Sequence, residues 1–200
     1  MKATEKKAHK RELIIQAALQ LFSSHGFHRT TIPDIAAKLQ MSAGNLYNYF
    51  SSKDILAKEI IKYTSEVLGQ EVRAINMLDL SSEAKIQKIV EIYFSMAKEK
   101  PEMIEYFLRV YLSHREVFGD GCEGMTCVYS FITEIMVFFD DGVRKGELRD
   151  QDFFSAFGLF MGYLGGMVFL KGEEILPNDI EDYIDDISRN IYYALRAENG

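Results

Sequence analysis

The chain is poor in the features that mark secreted, membrane-spanning and metal-clustered proteins. It has two cysteines, Cys122 and Cys127, in 200 residues. That is too few for a disulfide scaffold, and with no export signal it fits free thiols in a reducing interior. The opening stretch MKATEKKAHKRELII has neither an apolar segment nor a cleavage-site pattern. No apolar run approaches about 20 residues, the length a membrane helix needs, so no membrane partner and a cytoplasmic location are expected. Strand-like alternation, repeats and low-complexity stretches are also missing. His25 and His28 flank Gly26 and Phe27 with only distant carboxylates, a pattern that suits surface or phosphate-neighbouring histidines better than a metal pair. Two thiols do not complete a zinc site, so no metal and no cofactor are expected. Neither a partnered Ser, His and Asp pattern nor the Lys-Ser/Thr end of a phosphate loop after GDGCEG is present. The chain does not read as an enzyme.

What is present is helical periodicity throughout, and 48% hydrophobic residues are enough to build a sizeable core. The first helix is expected from about Lys6 to Ser24, with Leu13, Ile14, Ala17, Ala18, Leu21 and Phe22 on its apolar side and Gly26 as its stop. Ahead of it, Lys2, Lys6, Lys7, His9, Lys10 and Arg11 form a basic arm, either a frayed solvated end or a source of extra groove or phosphate contacts. The most definite stretch is residues 30–53, TTIPDIAAKLQMSAGNLYNYFSSK. Thr31 and Asp34 form a reciprocal cap, and Ile32, Ile35, Ala36 and Leu39 make a one-face stripe. Ser42 caps a second short helix in which Leu46 and Phe50 point to the core. Ala43, Asn45, Tyr47 and Asn48 lie on or beside the other face. Small residues with Asn and Tyr suit a helix pressed into the major groove of DNA.

Charge is divided along the chain. The net value is −7, but residues 1–62 carry 10 Lys or Arg against 5 Asp or Glu, and the remainder 13 against 25. The basic part coincides with the two-helix pattern, so overall acidity does not argue against a nucleic-acid partner. We expect a head at 1–52 and a body at 53–200. The body opens with a long linking helix capped by Ser51 and Asp54. Further helices start near Ser82 as a cap, at Pro101, and at about Met125, Gln151 and Pro177. The fold class is all-α, with about nine helices.

The run Thr30-Thr31-x-x-Asp34-Ile35-Ala36, followed by Ser42-x-Gly44-x-Leu46-Tyr47-x-Tyr49-Phe50-x-x-Lys53, resembles the DNA-binding signature of the TetR family of transcriptional regulators. The resemblance is specific over about residues 9–62. Beyond that it is architectural, apart from GELRD at 146–150, which is similar to a turn often found before the family's penultimate helix. The resemblance implies a helix-turn-helix head and a helical ligand-binding and dimerisation body. It further implies a homodimeric repressor on double-stranded operator DNA, released by a small-molecule effector. In its terms Thr31 contacts phosphate, and Ser42, Ala43, Asn45 and Tyr47 face the groove. Gly44 permits close approach, and Tyr49 and Lys53 hold the DNA backbone. The sequence departs from the family at Gln40, where Gly is usual and a left-handed conformation costs more. It departs again at Ala43, where Lys is frequent.

Two rows of apolar residues mark the penultimate helix, so the last two helices are expected to meet a second copy as a four-helix bundle. Phe153, Phe157, Phe160, Leu164, Ile184, Ile187, Ile191 and Leu195 would form that interface. Gly158, Gly162, Gly165 and Gly166 would allow close approach. An effector cavity is expected among Tyr93, Phe94, Phe107, Tyr111, Phe131, Glu134, Phe138 and Tyr163, where aromatic rings suit an apolar or amphipathic molecule and a buried carboxylate favours a cation. The rival readings are a helical protein-interaction module without DNA binding and a small helical enzyme. A steep salt dependence of DNA affinity separates the leading reading from the first.

Overall fold

The computed structural model describes residues 3–112 and 128–198. Among the described residues there are nine α-helices, one 3₁₀ turn and no strand. The helices are α1 (Ala3–His25), α2 (Ile32–Lys38), α3 (Ala43–Tyr47), α4 (Lys53–Asn76) and α5 (Ser82–Glu99). They continue with α6 (Pro101–Leu112), α7 (Tyr129–Arg144), α8 (Phe153–Gly172) and α9 (Ile184–Leu195), which follows the 3₁₀ turn Ile180–Tyr183. The loop FGDGCEG, with Cys122 and Cys127, lies outside the described residues. The chain forms two compact units: residues 1–64 with 102–128, and residues 65–101 with 129–200. The first is therefore larger than the expected head at 1–52, taking in the first half of α4 and nearly all of α6.

The first unit is built on side chains that three short elements cannot bury alone. Ile14, Ala18, Phe22, Ile35, Leu46, Phe50, Leu56, Ala57 and Ile60 are all fully enclosed. Phe22 meets Phe27 edge-on at 5.2 Å and stacks on Tyr106 of α6 at 5.9 Å. A head of about 50 residues has a thin core, and these contacts supply what it lacks. Gly26 ends α1 at φ 83, as its position in the sequence indicates. The basic stretch is no arm: α1 begins at Ala3, so Lys6, Lys7, Lys10 and Arg11 are helical.

Helix starts differ by one residue from expectation at two places. Ser52, not Ser51, accepts the Ile55 amide at 3.1 Å and caps α4. Ser81, not Ser82, accepts the Ala84 amide at 3.3 Å and caps α5. Ser82 is buried, and its amide donates to the Glu147 carboxylate. In both cases Ser-Ser offers two hydroxyls, and the core register of the following helix selects between them. The final segment also shortens, because the acidic run before Ile184 forms only the 3₁₀ turn.

In the second unit, α9 lies along α5, burying Ile187, Ile191 and Leu195 with Ile86, Ile89, Val90 and Phe94. Aromatic rings join α7 to α8, Phe139 meeting Phe160 at 6.4 Å and Phe153 at 6.1 Å. α4 crosses α7 so closely that a Cβ on Gly69 would sit 2.7 Å from the Ser130 hydroxyl. The GELRD turn is pinned by Arg149 N donating to Leu195 O at 2.9 Å and Ala197 N donating to Glu147 O at 3.0 Å. Lys85 is buried, with its ammonium between Asn76 O at 3.1 Å and Asp141 at 3.2 Å. Asp141 also receives Arg144 at 2.6 Å and Lys145 at 2.9 Å. Hydrogen bonding from Lys145, then from Arg144 and Lys85, holds its carboxyl well below the usual carboxylate range, against an opposing push from burial.

α2 ends in a paired turn in which Met41 N donates to Ala36 O and Gln40 N to Ala37 O, both at 3.0 Å. This pattern places its fifth residue in the left-handed region, and Gln40 sits there at φ 53. Gln40→Gly should therefore raise unfolding stability by about 0.5–1 kcal/mol, measured by urea denaturation; a loss would contradict the strain. Asp141→Asn should cost about 3 kcal/mol by leaving the Lys85 ammonium unpaired. Because the Asp141 carboxyl is depressed, its contribution is present above the unfolded value of about 3.9 and is lost as pH falls below it. Denaturation series at stepped pH should show that loss in the wild type and not in Asp141→Asn.

Candidate nucleic-acid interface

The residues that present a surface to solvent in the head do so because short helices are pinned from behind. α2 opens on a reciprocal cap: Thr31 N donates to Asp34 Oδ2 at 2.8 Å, and Asp34 N donates to Thr31 Oγ1 at 3.3 Å. The Thr31 hydroxyl also donates to Asp34 Oδ2 at 2.6 Å, and these bonds from Thr31 hold the carboxyl below its ordinary value. Its proton and a lone pair are thus both engaged, so a phosphate would have to compete with the cap for Thr31.

α3 has five residues, far fewer than an isolated helix needs. Its cap is Ser42, whose Oγ accepts the Asn45 amide at 3.2 Å, leaving the hydroxyl proton available outward. Leu46 and, just beyond, Phe50 are buried and fasten it to the core. On the opposite side Ser42, Gly44, Asn45, Tyr47 and Asn48 are exposed, and Ala43 and Tyr49 are half-buried. Tyr47 is 50% exposed, an unusual place for a large ring. A Cβ on Gly44 would meet nothing within 4 Å. Nothing inside the head needs glycine there, so the small residue keeps the outer face low. The result is a ridge of small and polar groups with one aromatic ring, carried on the basic part of the chain.

Lys53 is placed differently from the expectation of a DNA-backbone contact. Its ammonium donates to Phe27 O at 2.8 Å and Thr30 O at 3.1 Å, and lies 4.3 Å from the centre of the Phe27 ring. Those carbonyls belong to the α1–α2 turn, so Lys53 fastens that turn to the start of α4. Arg11, expected in a basic arm, instead ties α1 to the end of α3 and to α4. It donates to Tyr49 O at 3.3 Å, pairs with Glu59 at 2.7 Å and covers the Phe50 ring at 4.4 Å. Its i, i+3, i+4 relation to Ile14 and Ile15 was the signal available for an inward role.

The expected interface row on the last two helices requires correction. Phe157, Phe160, Leu164, Ile187, Ile191 and Leu195 are buried within the single chain, and Phe153 and Ile184 are half-buried. They face α5 and α7, whose apolar rows complete one core. The other side of α8 is the open one: Phe154, Leu159 and Phe169 are exposed, as are Gly158, Gly162 and Gly166. Cβ atoms on those three glycines would meet nothing within 4 Å. α8 is also 20 residues with Lys171 as its sole charged side chain, long and apolar enough to cross a membrane, contrary to the expectation that no segment is. One face of it, however, is core.

The residues expected to line an effector cavity are distributed rather than gathered. Tyr93, Phe94, Phe131 and Phe138 are buried in the second unit, and Phe107 in the first. Glu134 receives the Asn76 amide at 3.2 Å, and the Tyr163 hydroxyl accepts from Asn190 at 2.9 Å. The side chain of Tyr111 lies outside the described residues. Tyr93 stands apart because its hydroxyl is buried without a hydrogen-bond partner among the described residues, and burial pushes its pKa far above the ordinary value.

Comparisons with known proteins agree with this geometry. Residues 14–60 match the family model described as bacterial regulatory proteins, tetR family. The HTH-type transcriptional regulator RutR of Escherichia coli O157:H7 is 26% identical over 143 residues, 72% of this chain and 66% of RutR. The chain thus spans just under two thirds of that relative's length. Among solved structures, the fatty acid degradation regulator FadR from Bacillus halodurans has a TM-score of 0.77 at 17% identity, covering 92% of this chain and 94% of its own. FadR from Bacillus subtilis, solved in complex with stearoyl-CoA, has a TM-score of 0.74 at 14% identity, covering 90% and 97%. These two likenesses concern the fold. With the signature residues in place on a capped, exposed α3 and the family model matched across it, residues 14–60 form a head of the tetR type, and the matches together support a TetR-family transcriptional regulator.

Proposed function

We propose that this protein is a sequence-specific repressor that binds double-stranded operator DNA as a homodimer and releases it when a small apolar or amphipathic molecule occupies the body. The observation that carries the DNA reading is the ridge from Ser42 to Tyr49. Its outer face offers a hydroxyl, two carboxamides and a phenol at a height that Gly44 and Ala43 keep low enough for a groove. Asn45 and Tyr47 would reach base edges, Asn48 and the outward Ser42 hydroxyl the flanking phosphates. Thr31 acts chiefly as a cap, and Lys53 sets the angle of the head rather than touching the duplex.

One head makes too few contacts to specify a site, and two heads about one helical turn apart read an inverted repeat. The outer face of α8 supports self-association. Mid-helix glycine costs about 1 kcal/mol relative to alanine, and the three at four-residue spacing lie on a face that meets nothing among the described residues. A second α8 crossing there would cover Phe154, Leu159 and Phe169. For the effector, the partnerless Tyr93 hydroxyl is a polar handle in an apolar setting, such as a ligand head group would satisfy. The fold likeness to a stearoyl-CoA-binding regulator makes long-chain acyl thioesters the first compounds to try.

Tyr47→Ala should weaken binding to a wild-type-selected operator by about tenfold or more, with helicity and oligomeric state retained. Fluorescence anisotropy would measure it, and equal affinity in the variant would remove Tyr47 from the interface. Gly162→Leu should convert dimer to monomer in sedimentation velocity runs while helix content by circular dichroism is retained, since leucine favours the helix. Persistence of the dimer would move the interface off this face.

A further inference from the structure

The corner where the GELRD turn joins α7 to α8 holds an open cleft of about 390 Å³, within the roughly 300–1,000 Å³ of small-molecule sites. It lies wholly in the second unit. Its floor is apolar: Phe139 and Ala156 are buried, Val143 and Phe153 half-buried, and the two rings meet edge-on at 6.1 Å. Its rim is charged and exposed, with Asp140 and Arg144 from α7 and Arg149 and Asp150 from the turn. Two acids against two guanidiniums leave the rim neutral as a whole. Such a rim suits a molecule that carries both charges better than a lone anion or a lone cation.

One group of each sign is left open there. Asp140 and Arg144 stand four residues apart on α7, the spacing of a helix ion pair. Arg144 instead pairs with Asp141 at 2.6 Å, so the Asp140 carboxylate has no hydrogen bond or ion pair among the described residues. Arg149 Nε donates to Gln151 Oε1 at 3.1 Å, and its two terminal nitrogens have no acceptor among the described residues. That pair is the donor set a carboxylate accepts from two at a time. Its main chain is fixed, because Arg149 N donates to Leu195 O at 2.9 Å and Ala197 N to Glu147 O at 3.0 Å. A site held in place before its ligand arrives loses less on binding.

We propose that this cleft binds a free α-amino acid with an apolar side chain. Its carboxylate accepts from the Arg149 terminal nitrogens, its ammonium donates to Asp140, and its side chain lies on the floor of Phe139 and Phe153. The site is separate from the Tyr93 hydroxyl, which is not among its lining residues, and it does not depend on the DNA-binding reading. Bound there, the amino acid joins α7 to the turn before α8 through its two charged groups.

The probes are L-phenylalanine, phenethylamine and hydrocinnamate, which share a ring and differ only in which charged groups they carry. Each is titrated into full-length protein at neutral pH and low ionic strength, with dissociation constants read from saturation-transfer NMR. Phenylalanine should bind about fivefold more tightly than either analogue, the upper end of what one exposed ion pair gives. Asp140→Asn should erase its advantage over hydrocinnamate, and Arg149→Gln its advantage over phenethylamine. Both side chains are exposed, and helix content by circular dichroism should be retained in both variants. Phenylalanine that fails to bind, that binds no more tightly than its analogues, or whose advantage survives either substitution overturns the site. Operator binding is measured separately, and none of these outcomes bears on the repressor reading.

Discussion

Burial of Leu46 and Phe50 is the constraint on which the reading surface depends. A five-residue helix has almost no stability of its own, since fixing its first turn costs several dihedrals for a single hydrogen bond. α3 persists because one side is locked into the head core, with Leu46 and Phe50 fully enclosed, and because Ser42 satisfies an amide that would otherwise be orphaned. Only then can the remaining side hold an exposed tyrosine and a glycine with no internal purpose. The surface is ordered by what lies beneath it.

The same economy governs the rest of the head. Two half-buried cations of the head are turned inward onto carbonyls and rings, Lys53 onto the α1–α2 turn and Arg11 onto the end of α3. A lysine or arginine stem covers apolar surface while its head finds acceptors, and here the acceptors are main-chain oxygens left over by short helices. Positive charge in a DNA-binding head is thus not all aimed at the duplex. Part of it replaces a core that is too small.

Much of this was legible in the sequence, and the failures are instructive. The reciprocal cap at Thr31 and Asp34 and the stop at Gly26 follow from local chemistry, because each depends on residues within five positions, whereas the strained turn at Gln40 showed only against the family pattern. Cap placement at Ser51-Ser52 and Ser81-Ser82 was off by one, because the choice is made by packing further along each helix. The two rows on α8 were visible, but not that one chain buries most of both: Met161 and Val168 are core along with Phe157, Phe160 and Leu164, and the open face of Phe154, Leu159 and Phe169 follows neither row. Periodicity gives the rows and not the partner, and Phe157 and Phe160 are no more apolar than Phe154 and Phe169. The inward role of Lys53 was hidden for a similar reason, since its acceptors lie more than twenty residues away.

The ties from Lys53 and Arg11 have a mechanical consequence. With one bonded to the turn before α2 and the other to the end of α3, the first turns of α4 and all three preceding helices share a single frame. Within the head, the start of α4 and the ridge are therefore held as one piece. The register of the reading face with α4 is thus set by stiffness, with no joint between them.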